Sequence, residues 1–443
     1  MDALERLQSI LQTKTISYAE REQIDFDEYE KFISLIKQHY PLLHEKAVVE
    51  RVGMYSLLYV IKGTTDLKPI GWMGHYDVVP VNPEGWNHEP FGAEVHEDYV
   101  YARGALDMKG HVVAMLEAIE SLLDEGKTFE RDLYIMLGHN EETGSAMADS
   151  GAKAIKELLI SRGITFECVL DEGGAFIDGK KLGVNGTVAL IGVAEKGYLD
   201  VEIMARREGG HASTPPERSA LFEVTQAAGL MESNKFKADF NPATRAMFEA
   251  LVPAMDQPLK FLFKYKDIFK PILLNVMTKN PETAATVRTT AVMTMASGSK
   301  APNVLAQDAK VNLNCRIVPG DSVEEVVSRI KRRIGSRFTV SPINGNNPTS
   351  VSSVESRCYT AIDKVIKEVY PDLKVVAPYL MIAATDSRIY HDQAEGVYRI
   401  QPFMSIKDDR PTIHADNERV AISSYYQGIQ FFKALMCTLN GVQ

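Results

Sequence analysis

Cysteine is scarce here. Cys168, Cys315, Cys358 and Cys437 stand singly along 443 residues. No two have the close spacing of a thiolate metal site, which excludes structural zinc of the usual kind. Such scatter fits a reducing compartment, so a cytoplasmic protein is expected. Other signals are missing too. The N-terminus, MDALERLQSILQ, mixes charged and apolar residues and lacks the basic start and apolar core of a signal peptide. No run of 18 uninterrupted apolar residues offers a membrane span. Positive charge is not in excess: the net charge of -10 disfavours nucleic acid and leaves no footprint for an anionic membrane. The HExxH zinc-protease motif is absent. What remains, 45% hydrophobic and 24% charged, is an ordinary globular composition. Its length exceeds one comfortable hydrophobic core and predicts two domains.

What is present begins at Ile70–Pro80, IGWMGHYDVVP. A short apolar run ends in His75 and Asp77, two residues apart and therefore on one side of an extended backbone. Phe129 to Leu137 reads as another apolar strand and delivers His139-Asn140-Glu141-Glu142. Thr165 to Leu170 is a third, ending at Asp171-Glu172. Between them, YVYARGALDMKG leads from a short strand through Asp107 into a helix. A helix cap would explain Asp107. Lys109 sits where the helix dipole disfavours a cation, which points to another task. One acid at a strand end is ordinary; three gathered at one sheet edge are costly unless cations or protons compensate.

The opening 65 residues read as largely helical, with Phe26 to His39 at helical spacing and Ala47 to Lys62 as helix followed by strand. From Gly197 the pattern changes. Alternating strands at YLDVEIMARR and VNLNCRIV, with helices from about Glu217 and over Ser322 to Ile334, make a ferredoxin-like α+β module. Met231 to Glu282, rich in Lys, Phe and Pro, interrupts it; its aromatics read as core, and it could form a lobe or an interface. Alternating α and β then resume. The expected architecture is α/β: a mixed-sheet catalytic domain in two parts, residues 1–197 and 345–443, with an inserted module over 198–344 carrying the insertion near 235–285.

Candidate metal ligands are His75, Asp107, Glu142, Asp171 and His414, two imidazoles and three carboxylates. Mixed nitrogen and oxygen ligation suits Zn²⁺, Mn²⁺ or Co²⁺, and a carboxylate can bridge two such ions. Paired ions lower the pKa of a shared water. Glu141, left free, would take that water's proton and return it to a leaving nitrogen.

The segments GHYDVVP, GALDMKG, GHNEETGS, VLDEGG, GGHASTPP and IHADNERV, in this order across essentially the whole chain, resemble the metallopeptidase family of aminoacylase, glutamate carboxypeptidase and the dinuclear-zinc dipeptidases. The resemblance implies two zinc ions: His75, Asp107 and Asp171 on one, Asp107, Glu142 and His414 on the other. It makes Asp107 the bridge, Glu141 the general base and Asp77 the orienting partner of His75. It further implies a lid and dimerisation module, a homodimer, and His211 stabilising the oxyanion, often across the dimer. Asn303 and Arg316 resemble lid residues that touch the substrate's carboxylate end, and Arg388, in TDSR, could line the pocket. AEKGYL, VRTT and the insertion resemble the branch of Gly-X carboxypeptidase and N-acyl amino acid hydrolase. Met108, Asn140 and Ala415 depart from that branch's acid, Asp and Gly, and none removes a ligand.

The expected activity is hydrolysis of an amide bond in a small peptide or N-acyl amino acid with a free carboxylate, without nucleic acid or membrane partners. The alternatives are a cytosolic dipeptidase that also reads a free amine, an esterase or other deacylase using the same water attack, and a non-catalytic binding protein derived from such enzymes. The last is disfavoured because all five ligand positions and the base are filled.

Overall fold

The computed structural model describes residues 1–146, 151–404 and 409–443, with the backbone alone for 144–146. Its larger sheet runs Val48–Val52, Ser56–Ile61, Leu133–Gly138, Ile70–His75, Phe166–Asp171, Ala394–Arg399, Thr187–Glu195, Val375–Met381. Pairing is parallel among Leu133–Gly138, Ile70–His75, Phe166–Asp171 and Ala394–Arg399, and antiparallel at the Val48 end. The sheet is therefore mixed, as expected. Its central strands are buried on both faces, which is why they read as continuous apolar runs.

On one face the helices Ala3–Leu11, Lys109–Asp124, Arg357–Val369 and Ile422–Met436 close the principal core. Gly151–Ser161 packs on the other, with Met73, Met136 and Val169. The helix expected from Ser150 begins at Gly151, Ser150 lying outside the described residues. One local expectation fails. Ala47 to Lys62 forms no helix; Val48–Val52 and Ser56–Ile61 make a hairpin that turns at Gly53, where φ is +62°. Val and Tyr at these positions favour strands, and glycine permits the left-handed turn.

The second sheet has the order Thr290–Ser297, Asp308–Ile317, Gly197–Arg206, Thr339–Asn346, antiparallel throughout. With helices Ala220–Ser233 and Val323–Ile334 this is the ferredoxin-like arrangement, its core built from alternate residues such as Leu199, Val201, Leu313 and Cys315. Ser322 opens the second helix with a capping box to Glu325.

The insertion folds as four short helices, Pro242–Leu251, Leu259–Lys264, Lys270–Met277 and Pro281–Val287. They do not extend the module. Phe240, Phe248, Phe263 and Leu273 bury themselves against Val188, Leu190 and Ala377, so the insertion covers the Val375–Met381 edge of the larger sheet. Phe248 and Phe263 stack with ring centroids 4.1 Å apart.

Candidate metal centre

Parallel pairing sends the carboxyl ends of Ile70–His75, Leu133–Gly138 and Phe166–Asp171 to one edge, where open α/β sheets collect ligands. His75, the Glu141–Glu142 turn and the Asp171–Glu172 corner meet there. A separate three-stranded sheet supplies the rest. It pairs Tyr99–Tyr101 with Arg419–Ala421, drawing the Asp107 loop and the His414 loop together from opposite ends of the chain.

His75 Nε2 lies 3.2 Å from Asp107 Oδ1, 3.2 Å from Glu172 Oε1 and 4.0 Å from Glu141 Oε2. His414 Nε2 lies 3.1 Å from Asp107 Oδ2 and 3.0 Å from Glu142 Oε2. Asp107 thus presents one oxygen to each imidazole, the geometry of a shared carboxylate. The peptide bond from Asp107 to Met108 is cis. Donor atoms of His75, Glu141 and Glu172, and of His75, Asp107 and Glu142, fall within 4.8 Å of one another.

Asp77 is fully buried and works in two directions. Oδ1 is 3.3 Å from His75 Nδ1, while its two oxygens accept from the backbone N–H of Glu141 (3.0 Å) and Glu142 (3.1 Å). Ser17 Oγ donates to it at 2.7 Å. The imidazole and both acids are therefore set by one carboxylate.

The electrostatics identify what the cluster wants. Burial drives the Glu172 carboxyl well above its ordinary value, with Asp107 adding repulsion against the pull of His75. Burial likewise lifts Glu141 well above its usual range; His75 opposes, and Glu172, Asp386 and Glu142 reinforce. His75 is itself raised: burial pulls it down, but Glu172, Asp107 and Asp77 outweigh that. So many acids packed around two imidazoles fit divalent cations, since hard carboxylate oxygens with imidazole nitrogen suit such ions and relieve the repulsion.

His414 gives a pH prediction. Its bonds to Asp107 and then Glu142, against burial, push it up to about 10 from 6.5. A raised pKa contributes stability that is complete below about 6.5 and lost as pH rises towards 10. An entering cation must displace this proton. Calorimetric zinc titration of the apoprotein near pH 8 should therefore show heats that scale with buffer ionisation enthalpy. Heats independent of the buffer would place His414 outside the site.

Asp171 and Glu172, adjacent acids, are placed differently. Asp171, an expected ligand, ends its strand buried and accepts from Ser387 N–H at 3.0 Å. Glu172, the next residue, faces the opposite way and reaches His75. The adjacent acids of DEGG carried that signal, as Glu141 and Glu142 did. Asp107 is not the helix cap either: Met108 occupies the cap position, without a side-chain bond. Lys109 is buried and donates to Thr13 Oγ1 at 3.0 Å and to the Thr13 carbonyl, tying the first helix to the metal loop. His139 pairs with Ser56 Oγ behind the site.

His211 and Asn303 come together away from the cluster. Gly210–His211 pairs with Val304–Leu305, Ala212 N–H donates to the Asn303 carbonyl, and His211 is exposed and bonds Ser213. Within one chain, neither makes a hydrogen bond or ion pair with the ligand set among the described residues. Arg316 and Arg388 flank the junction of the two sheets. Arg316 lies over the Tyr198 ring at 4.7 Å, and Arg388 donates to Asn346, Tyr198's cross-strand partner, at 2.5 Å.

Three further groups support the site, of which Glu418 and the Glu195–Arg399 pair escaped the sequence reading. Glu418, fully buried, accepts from Leu106 N–H (2.8 Å), Gly104 N–H (3.1 Å), Asp107 N–H (3.1 Å) and Arg103 Nη1 (2.7 Å). It thereby clamps the Asp107 loop to the segment that carries His414. Glu418→Gln cannot satisfy those amides and the guanidinium together, and is expected to weaken metal binding roughly 10–100-fold. A competition titration with a chromophoric chelator measures this. Asp386, half-buried beside Asp171 and His75, is pushed up to about 7, by loss of solvation first. A Cβ at Gly138 would lie 3.0 Å from its Oδ2, so glycine there makes room for it. Glu195 and Arg399, both fully buried, pair at 2.7 Å beneath Arg388.

This geometry can be compared with known proteins. The model of peptidase family M20/M25/M40 matches residues 71–438. The chain belongs to this family. It is accordingly a metal-dependent hydrolase of amide bonds. Among curated relatives of this M20 chain, probable carboxypeptidase S-like 2 of Dictyostelium discoideum is 33% identical over 98% of this chain and 85% of its own. The mouse N-fatty-acyl-amino acid synthase/hydrolase PM20D1 is 31% identical over 96% and 86%. Of solved structures, the M20 metallo-carboxypeptidase Sso-CP2 of Sulfolobus solfataricus superposes with a TM-score of 0.69 at 20% identity, covering 98% of this chain and 99% of that one. Human carnosine dipeptidase 1 gives 0.66 at 15%, covering 99% and 96%. These two share the M20 fold.

Proposed function

We propose that this M20 enzyme releases an amino acid bearing a free carboxylate from an N-acyl amino acid or a small peptide, as a two-zinc hydrolase. The observation that carries the substrate reading is the pair of guanidiniums, Arg316 and Arg388, on either side of the junction between the sheets. Burial and the neighbouring positive charges lower the Arg388 pKa, and Glu195 opposes them. A substrate carboxylate would meet both arginines. Relatives named carboxypeptidase and N-fatty-acyl-amino acid hydrolase fit the same substrate class.

His75, Asp107, Glu142, Glu172 and His414 would hold the ions. When bound, divalent ions polarise the scissile carbonyl and acidify an attacking water. Glu141 then takes a proton from that water and returns it to the departing nitrogen. Asp77 fixes Glu141 through its backbone N–H and His75 through its ring. His211 would stabilise the oxyanion from a partner copy. Support for such a homodimer comes from exposed apolar residues on the module, Phe222, Leu230, Val292 and Met295.

A panel of N-acyl amino acids, dipeptides and longer peptides, each with free and amidated C-termini, tests the reading on the zinc-reconstituted enzyme. Amidation should raise KM at least tenfold, and Arg388→Ala should erase that difference. Equal turnover of free and amidated substrates would overturn carboxylate recognition. Absolute dependence on a free amine would assign the chain as a dipeptidase.

A further inference from the structure

The insertion covers one sheet edge with its inner side and leaves its outer side apolar. Phe261, Tyr265, Ile268, Ile272 and Val276 are 50%, 42%, 74%, 55% and 59% exposed. Phe261 meets Tyr265 at 5.1 Å and Phe269 at 5.7 Å between ring centroids, which joins helix Leu259–Lys264 to helix Lys270–Met277. Ile272 and Val276, four apart, share one side of the second helix, and Ile268 lies in the turn before it. Phe263, Leu273 and Met277 on the opposite side are already buried. The outer residues are therefore not needed for packing within the chain.

Charge surrounds this face unevenly. The chain carries a net charge of -10, yet residues 256–282 hold five lysines against Asp256, Asp267 and Glu282. Lys266 pairs with Glu249 at 2.9 Å, Lys270 with Asp239 at 2.5 Å, and Asp267 with Arg245 at 2.8 Å. Lys260, Lys264 and Lys279 have no ion pair among the described residues. Lys260 reaches only the Pro253 carbonyl, and Lys264 lies by the Tyr265 ring.

Aromatic and branched aliphatic side chains beside Lys260, Lys264 and Lys279, three lysines without an ion pair among the described residues, suit the boundary of an anionic lipid layer. Rings and aliphatic ends enter the headgroup region while lysines stay at its charged surface. A second copy fits worse, because a two-fold contact would bring the same lysines face to face. We propose that this face of the insertion seats the enzyme on a negatively charged lipid surface. The charge of the whole chain, which spoke against a membrane, conceals this local reversal. No helix of the described residues is long and apolar enough to cross a membrane, so the contact is peripheral. The proposal stands apart from the substrate reading. If that reading holds, docking places the enzyme where amphiphilic acyl amino acids collect.

Sedimentation of the full chain with sucrose-loaded vesicles tests it. The protein should pellet with phosphatidylcholine vesicles containing phosphatidylserine, less so as salt rises, and poorly with pure phosphatidylcholine. Ile268→Glu/Ile272→Glu should lower partition at least tenfold. Lys260→Ala/Lys264→Ala should lower it roughly 25-fold on phosphatidylserine vesicles, about fivefold per lysine. Both variants should keep the wild-type melting temperature and turnover of a water-soluble short-chain substrate, which separates this question from substrate identity. If the glutamate variant melts lower, Ile268→Ala/Ile272→Ala must show the loss of binding instead. Equal pelleting of wild type and variants, or none by the wild type, would overturn the proposal. So would a lipid-independent dimer in sedimentation velocity that Ile268→Glu/Ile272→Glu dissolves, since it would assign the face to a second copy.

Discussion

Glu141→Gln is expected to lower kcat roughly 10²–10⁴-fold while the protein keeps its full metal content. The glutamine preserves shape and the backbone bond from residue 141 to Asp77 but cannot accept a proton. Glu141 Oε2 lies 4.0 Å from His75, farther than the carboxylates of Asp107 and Glu172, which suits a group that serves water more than an ion. Steady-state kinetics alongside elemental analysis of the same preparation decide the matter. Retained turnover would remove Glu141 from the proton transfer. Metal lost together with activity would make it a ligand.

The second large effect separates neighbours. Glu172→Gln should lose about one ion per chain and activity with it, because it removes a ligand charge beside His75. Asp171→Asn should keep both ions and most of its turnover, since an amide oxygen can still accept from Ser387 N–H. Metal stoichiometry of the two purified variants gives the answer. The reverse pattern would restore Asp171 to the centre.

The choice between Asp171 and Glu172 marks where sequence reasoning reaches its limit. The apolar strands ending in acids were legible because parallel strands buried on both faces are continuous and their polar residues collect at the carboxyl ends. His75 and Glu142 lie at such ends, whereas Asp107 and His414 are brought in by the separate three-stranded sheet. Which member of an adjacent pair faces the site depends on parity, and FECVLD offers none, being buried on nearly every residue. In the hairpin at Val48–Ile61 the buried inner strand is legible, while the outer one, Val48–Val52, is mostly exposed and shows no alternation. Glu418 was invisible because its partners lie more than 300 residues away, at a distance only the folded chain sets. The insertion could be seen as an interruption from its composition, but not where it would return.

That return has a mechanical consequence. A module inserted once into a body is joined to it by two strands of chain and can swing about them. Here the chain leaves the body near Lys196, comes back with Phe240, leaves again after Val287, and rejoins at Asn346–Asn347. Four covalent connections share the junction. Thr289 Oγ1 and Asp321 bond at 2.7 Å across two of the segments beside it. A module tied to its body by four connections has less freedom to move against it than one tied by two.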